Sequence, residues 1–486
     1  MTHQSNHTTF TNDNLILGDL GITIRNNEHM KKTAPSQGRI DSIIERITAS
    51  RFLDEKLRLY SAHSNVRGIP YIGDGFKQAH RKAVWGMLKR GENADFDTVE
   101  RIAAAAASTT DYHHGVGSLE GTIVGLAQDF AGANNVPLFK KFGQFGSRLS
   151  KHPSASRYIK TKLNNTFRQI FRKDDDLIFD HVMSNGVPVE PKFFTPVLPL
   201  VLINGAEGMG TGHSTFIMSY NPDDIKSAIL KLLDGKTLKK NSLLPWWNGF
   251  TGTVSRDTET GQIVIEGSYT VKEGRSPTIT ITELPIGMES ESYESHLHKL
   301  EDKELIIDSD NMSDEAGFEF VVRVPRSTLL LSDEEIKKHF KLIKRETENL
   351  TVWDGDGVLR RFDCVEDLLE HWVVWRIDRY EDRRQAMMKK ISADIVWAGL
   401  KIRFIKFYLA NYKFFRDTPN KELVERLVQE GFDRHEELLG MPMRNLTHDK
   451  IKELEKDVED LKVALANLKA DTPVDMFKRE LKELKL

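Results

Sequence analysis

From Glu366 onward the chain reads as helix almost to its end, and this limits its shape more than any other feature. The stretch LLEHWVVWRIDRYEDRRQAMMKKISADIVWAGLKIRFIKFYLANYKFF predicts a helix of over 40 residues, longer than a globular helix usually runs. At about 1.5 Å per residue such a helix reaches roughly 60 Å, well beyond the width of a small domain. Further on, Ile451, Leu454, Val458, Leu461, Leu465 and Leu468 step by 3, 4, 3, 4 and 3, a heptad seam of nearly three repeats. Two long helices with the compact segment GFDRHEELLGMPMRNLTHD between them predict an antiparallel coiled-coil arm with a small helical tip.

The rest of the chain has to supply a body. Its 486 residues exceed one hydrophobic core, so roughly two to four domains are expected. No run of 18 apolar residues is present, which argues against a membrane-spanning helix, and MTHQSNHTTFTNDN lacks the basic start and apolar core of a signal peptide. The single cysteine, Cys364, excludes an intrachain disulfide and any zinc site built on CxxC pairs, and fits a reducing cytoplasm.

Net charge is only -3, yet Lys140 to Lys173 carries ten Lys or Arg and no Asp or Glu. A basic island in a balanced chain is the footprint of a polyanionic partner. Inside it, Tyr158 follows Arg157 directly. A tyrosine hydroxyl, with an ordinary pKa of about 10, attacks poorly at neutral pH unless cations stabilise the phenolate and the charge developing on phosphorus. Arg157, Lys160 and Lys162 are placed to contribute, with Arg148 and His152 nearby. The chemistry this suits is transfer of a phosphodiester to tyrosine. The bland alternative is a tyrosine that merely touches phosphate.

Residues 1–38 read as a polar arm. From Arg39, the positions Ile40, Ile43, Ile44, Ile47, Phe52 and Leu57 predict one or two helices. A loop punctuated by Gly68, Pro70, Gly73 and Gly75 precedes a helix from Phe76 to about Arg90. Further helices are expected over Thr98 to Ser108 and Ser118 to Phe130. The basic, partly extended segment Leu138 to Leu149 then completes a helix-turn-helix with a wing. After Tyr158, the positions Ile159, Leu163, Phe167 and Ile170 predict a helix. On it Tyr158 shares a polar stripe with Thr161, Lys162 and Asn165. Residues 174 to 200, which open on three consecutive aspartates and carry four prolines, predict a linker. PLVLINGAEGMGTGHS reads as a strand ending in a glycine-rich loop, and Asn221 as the cap of the helix that follows. Strands dominate from Phe250 to Val324, with helices at 291–303 and 333–344. The expected divisions are a polar arm at 1–38, a winged-helix domain at 39–190, an α/β shoulder at 191–350, and the arm with its dimerisation tip at 351–486. The fold class is thus multidomain α+β.

Three motifs fail on inspection. A G-x-G-x-x-G frame starting at Gly208 lands on His213, and no Lys-Ser/Thr follows Gly210, so GAEGMGTG fits neither phosphate-binding template. Asp308 and Asp310, or Asp174 to Asp176, lack the further ligands of a metal site. His113 and His114, adjacent on a loop, point apart and suit capping or phosphate contact.

The segments YHHG with SLEGTIVGLAQDF, NNVPLFKKFGQFGSRL and ASRY follow one another in order. Together with IPYIGDGFKQAHRKAVWGM, PVLPLVLINGAEGMGTGHS, TELP and LLGMPMRNLTHDKIKELEKDVEDL, they are similar to the breakage-reunion core of type IIA DNA topoisomerases. The likeness runs from about residue 60 to 470, and the YHHG and NGAEG-GTG forms are closer to eukaryotic topoisomerase II than to bacterial gyrase. The acidic metal-binding module, in which an E-G-x-S signature accompanies D-x-D, does not occur, nor does an ATPase module. A breakage-reunion core on a chain of its own resembles the medium subunit of T-even bacteriophage topoisomerases.

The resemblance implies that Tyr158 cleaves DNA with Arg157 beside it, one tyrosine from each of two copies. It also implies that Arg67, Lys77, His80 and Arg81 surround the scissile phosphate and that His114 matches the family's second histidine. Val197 or Leu198 would supply an apolar wedge that bends the duplex. Mg2+ and ATP would be bound mainly by a large partner subunit, with no metal site in this chain, and the setting would be the cytoplasm of an infected bacterium. A rival of another class is a non-catalytic architectural DNA-binding protein with a coiled-coil dimerisation arm. A tyrosine recombinase is disfavoured, because its scattered Arg-His-Arg pattern does not surround Tyr158.

Overall fold

The computed structural model describes residues 48–485, together with a two-residue pairing of Ile16–Leu17 with Ile22–Thr23. The rest of the 1–38 arm and the positions Ile40 to Ile47 lie outside the described residues. Helix α1 (Arg58–Gly68) continues a π-helical stretch, Phe52–Leu57. Helices α2 (Gln78–Arg90), α3 (Val99–Thr109) and α4 (Val116–Ala127) follow, with the short strand β1 (Asp97–Thr98) leading into α3. The alanine run of α3 has a packing reason. Ala103 and Ala106 are fully buried, and a Cβ added to Gly86 of α2 would lie 2.3 Å from that of Ala106.

Strands β2 (Phe139–Phe142) and β3 (Lys160–Leu163) join β1 in an antiparallel sheet of order β1-β3-β2. Here the sequence reading needs correction. Residues 160–163 are strand, and only Phe167–Ile170 forms a helical turn, α5. Ile159, Thr161 and Leu163 are all buried, a period of two that the polar Thr161 disguised.

Residues 174–200 are no linker. They form a 3-10 turn (Lys173–Ile178), the hairpin of β4 (His181–Ser184) and β5 (Val187–Pro191), whose His181 ring lies 5.1 Å from that of Trp85, and the helical turn α6 (Leu200–Ile203), which is buried in the first core with Phe194, Val197 and Leu198. The glycine-rich segment is itself a hairpin, β6 (Ala206–Gly210) with β7 (His213–Ile217), closed at Gly212 with φ +74°. Helix α7 (Pro222–Leu233) starts where Asn221 accepts the Asp223 N–H at 2.8 Å.

Two further sheets follow. Strands β8 (Thr253–Arg256) and β9 (Ile263–Glu266) combine with a later strand. Strands β10 (Ser268–Lys272), β11 (Thr278–Glu283), β12 (Asp308–Asn311) and β13 (Phe320–Arg323) form a four-stranded sheet of order β10-β11-β13-β12. Helices α8 (Ser290–Glu301) and α9 (Asp333–His339) cover it, making a second core around Ile281, Phe320, Leu297 and Phe340. The helix expected to reach residue 344 stops at His339. Lys341 takes φ +50°, and β14 (Ile343–Glu346) then pairs with β9. A hairpin of β15 (Leu350–Trp353) and β16 (Leu359–Phe362) returns to the first core.

The long helix is present: α10 (Val365–Ala410) runs for 46 residues. Its base is built into the first core through Trp372, whose indole donates to the Gly73 carbonyl at 3.0 Å. The tip comprises α11 (Tyr412–Asp417), α12 (Asn420–Gln429) and α13 (His435–Leu439), gathered on Phe404, Leu427, Phe432 and Leu438. Helix α14 (His448–Ala470) comes back along α10, its Ile451 and Leu454 packed on Ile405 and its Leu468 in the first core. Helix α15 (Pro473–Glu483) closes on the base, with Phe477 stacked on Tyr380 at 4.8 Å.

Candidate nucleic-acid interface

Tyr158 stands in a tight turn between the Gly146–Ala155 loop and β3. Its N–H donates to the Ala155 carbonyl at 2.9 Å. The turn is pinned to the start of α3 by the Val99 N–H on the Ile159 carbonyl (3.0 Å) and by the Glu100 N–H on the Ser156 carbonyl (3.3 Å). Ile159 is buried, while the Tyr158 side chain is 69% exposed and the Arg157 guanidinium lies 4.8 Å from its ring centroid. Among the described residues no hydrogen bond or ion pair holds the hydroxyl. It stands off the core because of this turn, and no helix stripe is involved.

A second group forms where α1 ends, α2 begins and the β6–β7 hairpin lies against both. The fit is glycine on glycine: a Cβ on Gly208 would sit 2.0 Å from the Gly68 carbonyl oxygen, and one on Gly210 would sit 2.1 Å from Asn65 Oδ1. Lys77 Nζ donates to the Glu207 carbonyl at 2.6 Å, and burial pulls its pKa down against the upward pull of the Glu207 carboxylate. His80 Nδ1 accepts the Lys77 N–H at 3.3 Å, which caps α2 and leaves the ring proton on Nε2. Burial, then Lys77 and Arg81, push the His80 pKa down to about 3, so the ring is neutral at physiological pH. Arg67 is exposed on the last turn of α1. His114 is exposed beside it, 5.6 Å from the Tyr112 ring and 6.4 Å from that of His63, and is held below the usual imidazole pKa by partial burial and then by Arg67.

Four of the expected contacts are placed otherwise. Arg81 is engaged by Asp74, with Nε to Oδ2 at 2.8 Å and Nη2 to Oδ1 at 3.1 Å, because a fully buried carboxylate needs a guanidinium. Arg148 points towards the second core, donating to the carbonyls of Met288 and Leu284, both at 2.7 Å, and pairing with Glu283 at 3.2 Å. Val197 and Leu198 are 0% and 1% exposed, so neither side chain is presented to a base step. Lys160 and Lys162 do stand on the open face of β3, Lys160 the more exposed. No hydrogen bond, ion pair or ring contact among the described residues links the tyrosine turn to the Arg67–Lys77–His80–His114 group of the same chain.

The residue the sequence reading missed is Met209. It is 83% exposed on β6, on the strand face away from α1 and next to the carbonyl that holds Lys77. The signal was available: an apolar side chain between two glycines in a hairpin faces solvent, where burial gives it no reason to be.

The family model for the DNA gyrase/topoisomerase IV A subunit matches residues 67–482. The chain belongs to that family. DNA topoisomerase 2 of Arabidopsis thaliana is 31% identical over 92% of this chain and 33% of its own length, and that of Saccharomyces cerevisiae is 30% identical over 86% and 30%. The DNA-binding, cleavage and re-ligation domain of Plasmodium falciparum topoisomerase II superposes with a TM-score of 0.82 at 30% identity, covering 89% of this chain and 63% of that one. This gyrase/topoisomerase IV homologue therefore spans about a third of the length of the curated relatives it matches.

Among the described residues no three His, Cys, Asp or Glu side chains converge in a group that could hold a metal ion. Some of the acids considered for that role form ion pairs. Asp308 pairs with Arg323, and Asp175 with Arg376 at 2.8 Å and Arg383 at 3.4 Å. No helix among the described residues is long and apolar enough to cross a membrane.

Proposed function

We propose that this chain is the DNA-cleaving and rejoining subunit of an ATP-dependent type II DNA topoisomerase. The observation that carries the reading is the Tyr158 hydroxyl, exposed and free of hydrogen bonds among the described residues, beside Arg157 in a chain of this family. The hydroxyl attacks a backbone phosphorus. The Tyr158 Oη–P bond forms, the bond from phosphorus to the 3′ oxygen breaks, and the 5′ phosphate stays on the tyrosine. The strand end keeps a 3′ hydroxyl, so the reverse attack reseals the break without loss of bond energy. Arg157, 4.8 Å from the ring, stabilises negative charge on the phenolate and the phosphate. Arg67, Lys77, neutral His80 and His114 form a phosphate-binding group on the same chain, and two copies acting as a pair cut both strands so that a second duplex can pass.

In this reading residues 39–190 are the winged-helix domain, 191–350 the shoulder, and 351–486 the coiled-coil arm whose tip joins two copies. Met209, exposed and rigidly mounted beside Lys77, replaces Val197 and Leu198 as the apolar side chain that enters a base step. A large partner subunit binds ATP and Mg2+, and metal bound there would stabilise the leaving 3′ oxygen. The split-subunit resemblance suits a bacteriophage-infected cytoplasm. The test is reconstitution. Mixed with subunits carrying ATPase and metal-binding modules, the chain should decatenate interlocked circles with ATP and Mg2+ present. An architectural protein would bind the circles and leave them linked.

A further inference from the structure

The outer face of the β1-β3-β2 sheet carries charge that the protein does not balance. In the register Lys140 lies opposite Lys162, and Phe142 opposite Lys160. Phe139, Thr161 and Leu163 are buried, so strand alternation puts Lys140, Phe142, Lys160 and Lys162 together on the open side. Like charges directly opposite one another weaken a sheet. Asp97, the one acid in these strands, faces the other way and pairs with Arg90 at 3.1 Å. Lys141, also on that far side, pairs with Asp129. Among the described residues neither Lys140 nor Lys160 has an acidic partner, and the Lys162 ammonium lies over the Phe96 ring at 4.9 Å. Phe142 is 61% exposed, its ring 5.7 Å from that of Phe96.

We propose that this face is a second duplex-binding track, running from Tyr158 along β3. The three lysines take backbone phosphates, and Phe142 packs on the sugars between them. The inference rests on the DNA-cleaving reading, because the track begins two residues after the nucleophile and so extends the hold on the same duplex. Lysines without acceptors suit phosphates as point charges. An acidic protein surface is the other occupant that such charge admits, and continuity with the tyrosine favours DNA.

The experiment is the salt dependence of binding of the full chain to a duplex of about 30 base pairs, where log K falls by about 0.9 per log unit of salt for each phosphate neutralised. The triple variant Lys140→Ala, Lys160→Ala, Lys162→Ala should lower the slope by about 2 to 3, with circular dichroism unchanged. Lys141→Ala removes the same charge from the far side and should keep the wild-type slope. Phe142→Ala should weaken binding several-fold at an unchanged slope. A wild-type slope in the triple variant overturns the proposal, and so does a triple variant that binds DNA normally but no longer associates with the ATPase-bearing partner. A reduced slope in the triple variant together with no covalent capture at Tyr158 of the wild-type chain would leave the track standing and remove the cleavage reading.

Discussion

Arg157 and Arg81 show how one residue type acquires two roles. Arg157 is exposed over a tyrosine ring, whereas Arg81 is bound to the buried Asp74, which also accepts the Phe76 and Phe194 N–H groups at 2.9 and 3.0 Å. Neutral His80 gives a prediction with a definite sign. Its folded pKa of about 3 lies below the ordinary value of 6.5, so the unfolded chain binds the extra proton between those limits. Its contribution to stability is complete above about pH 6.5 and is lost as the pH falls towards 3. Thermal melts of the wild type and His80→Gln across pH 7.5 to 4.5 should therefore show the wild type losing ground to the variant as the pH drops. A constant difference would contradict the neutral assignment. Met209→Ala gives a second prediction at this scale. Because the side chain is exposed, stability should change by less than about 0.5 kcal/mol, while end-to-end fluorescence transfer in a bound duplex should report a smaller bend. An unchanged bend would remove Met209 from the role of wedge.

Among the elements, long periodic segments were legible and short ones were not. The 46-residue helix and the heptad seam of α14 carry many repeats of one period, and the alternating strands at 263–283 are equally plain. The stretch from Ile159 to Ile170 offered four apolar residues at steps of 4, 4 and 3, and a strand followed by a helical turn satisfies those as well as a helix does. Prolines between 188 and 199 were misread as a linker, because nothing in the sequence says that Asp175 is buried against two arginines from α10. The glycines of β6 fit no phosphate-binding template and pack closely on Gly68 and Asn65 instead, though their hairpin was not foreseen. Gly208→Ala tests that packing. The new Cβ meets the Gly68 carbonyl oxygen at 2.0 Å, so the hairpin must move, at a cost of about 1–3 kcal/mol. DNA bending should fall along with stability, since Met209 and the Lys77 contact ride on the same strand. Full stability in this variant, by chemical denaturation, would refute the tight fit.

At the scale of the molecule, the arm is fastened to the first core by a buried ion network. Arg376 and Arg383 of α10, both at most 1% exposed, share Asp175, and Arg383 also reaches Glu480 of α15 at 2.6 Å. Asp175→Asn leaves two buried guanidinium groups short of charge and should cost about 3–5 kcal/mol, read as a lower denaturation midpoint. A change below about 1 kcal/mol would mean that apolar packing of Phe477 and Trp372 alone holds the base. In the proposed reading this machinery serves one hydroxyl. The direct measurement is covalent DNA capture on a denaturing gel, with magnesium and the large partner present, comparing wild type with Tyr158→Phe. Capture by the wild type, none by the variant, and duplex binding within a few-fold of each other is the predicted result. Covalent complex persisting in Tyr158→Phe would contradict it.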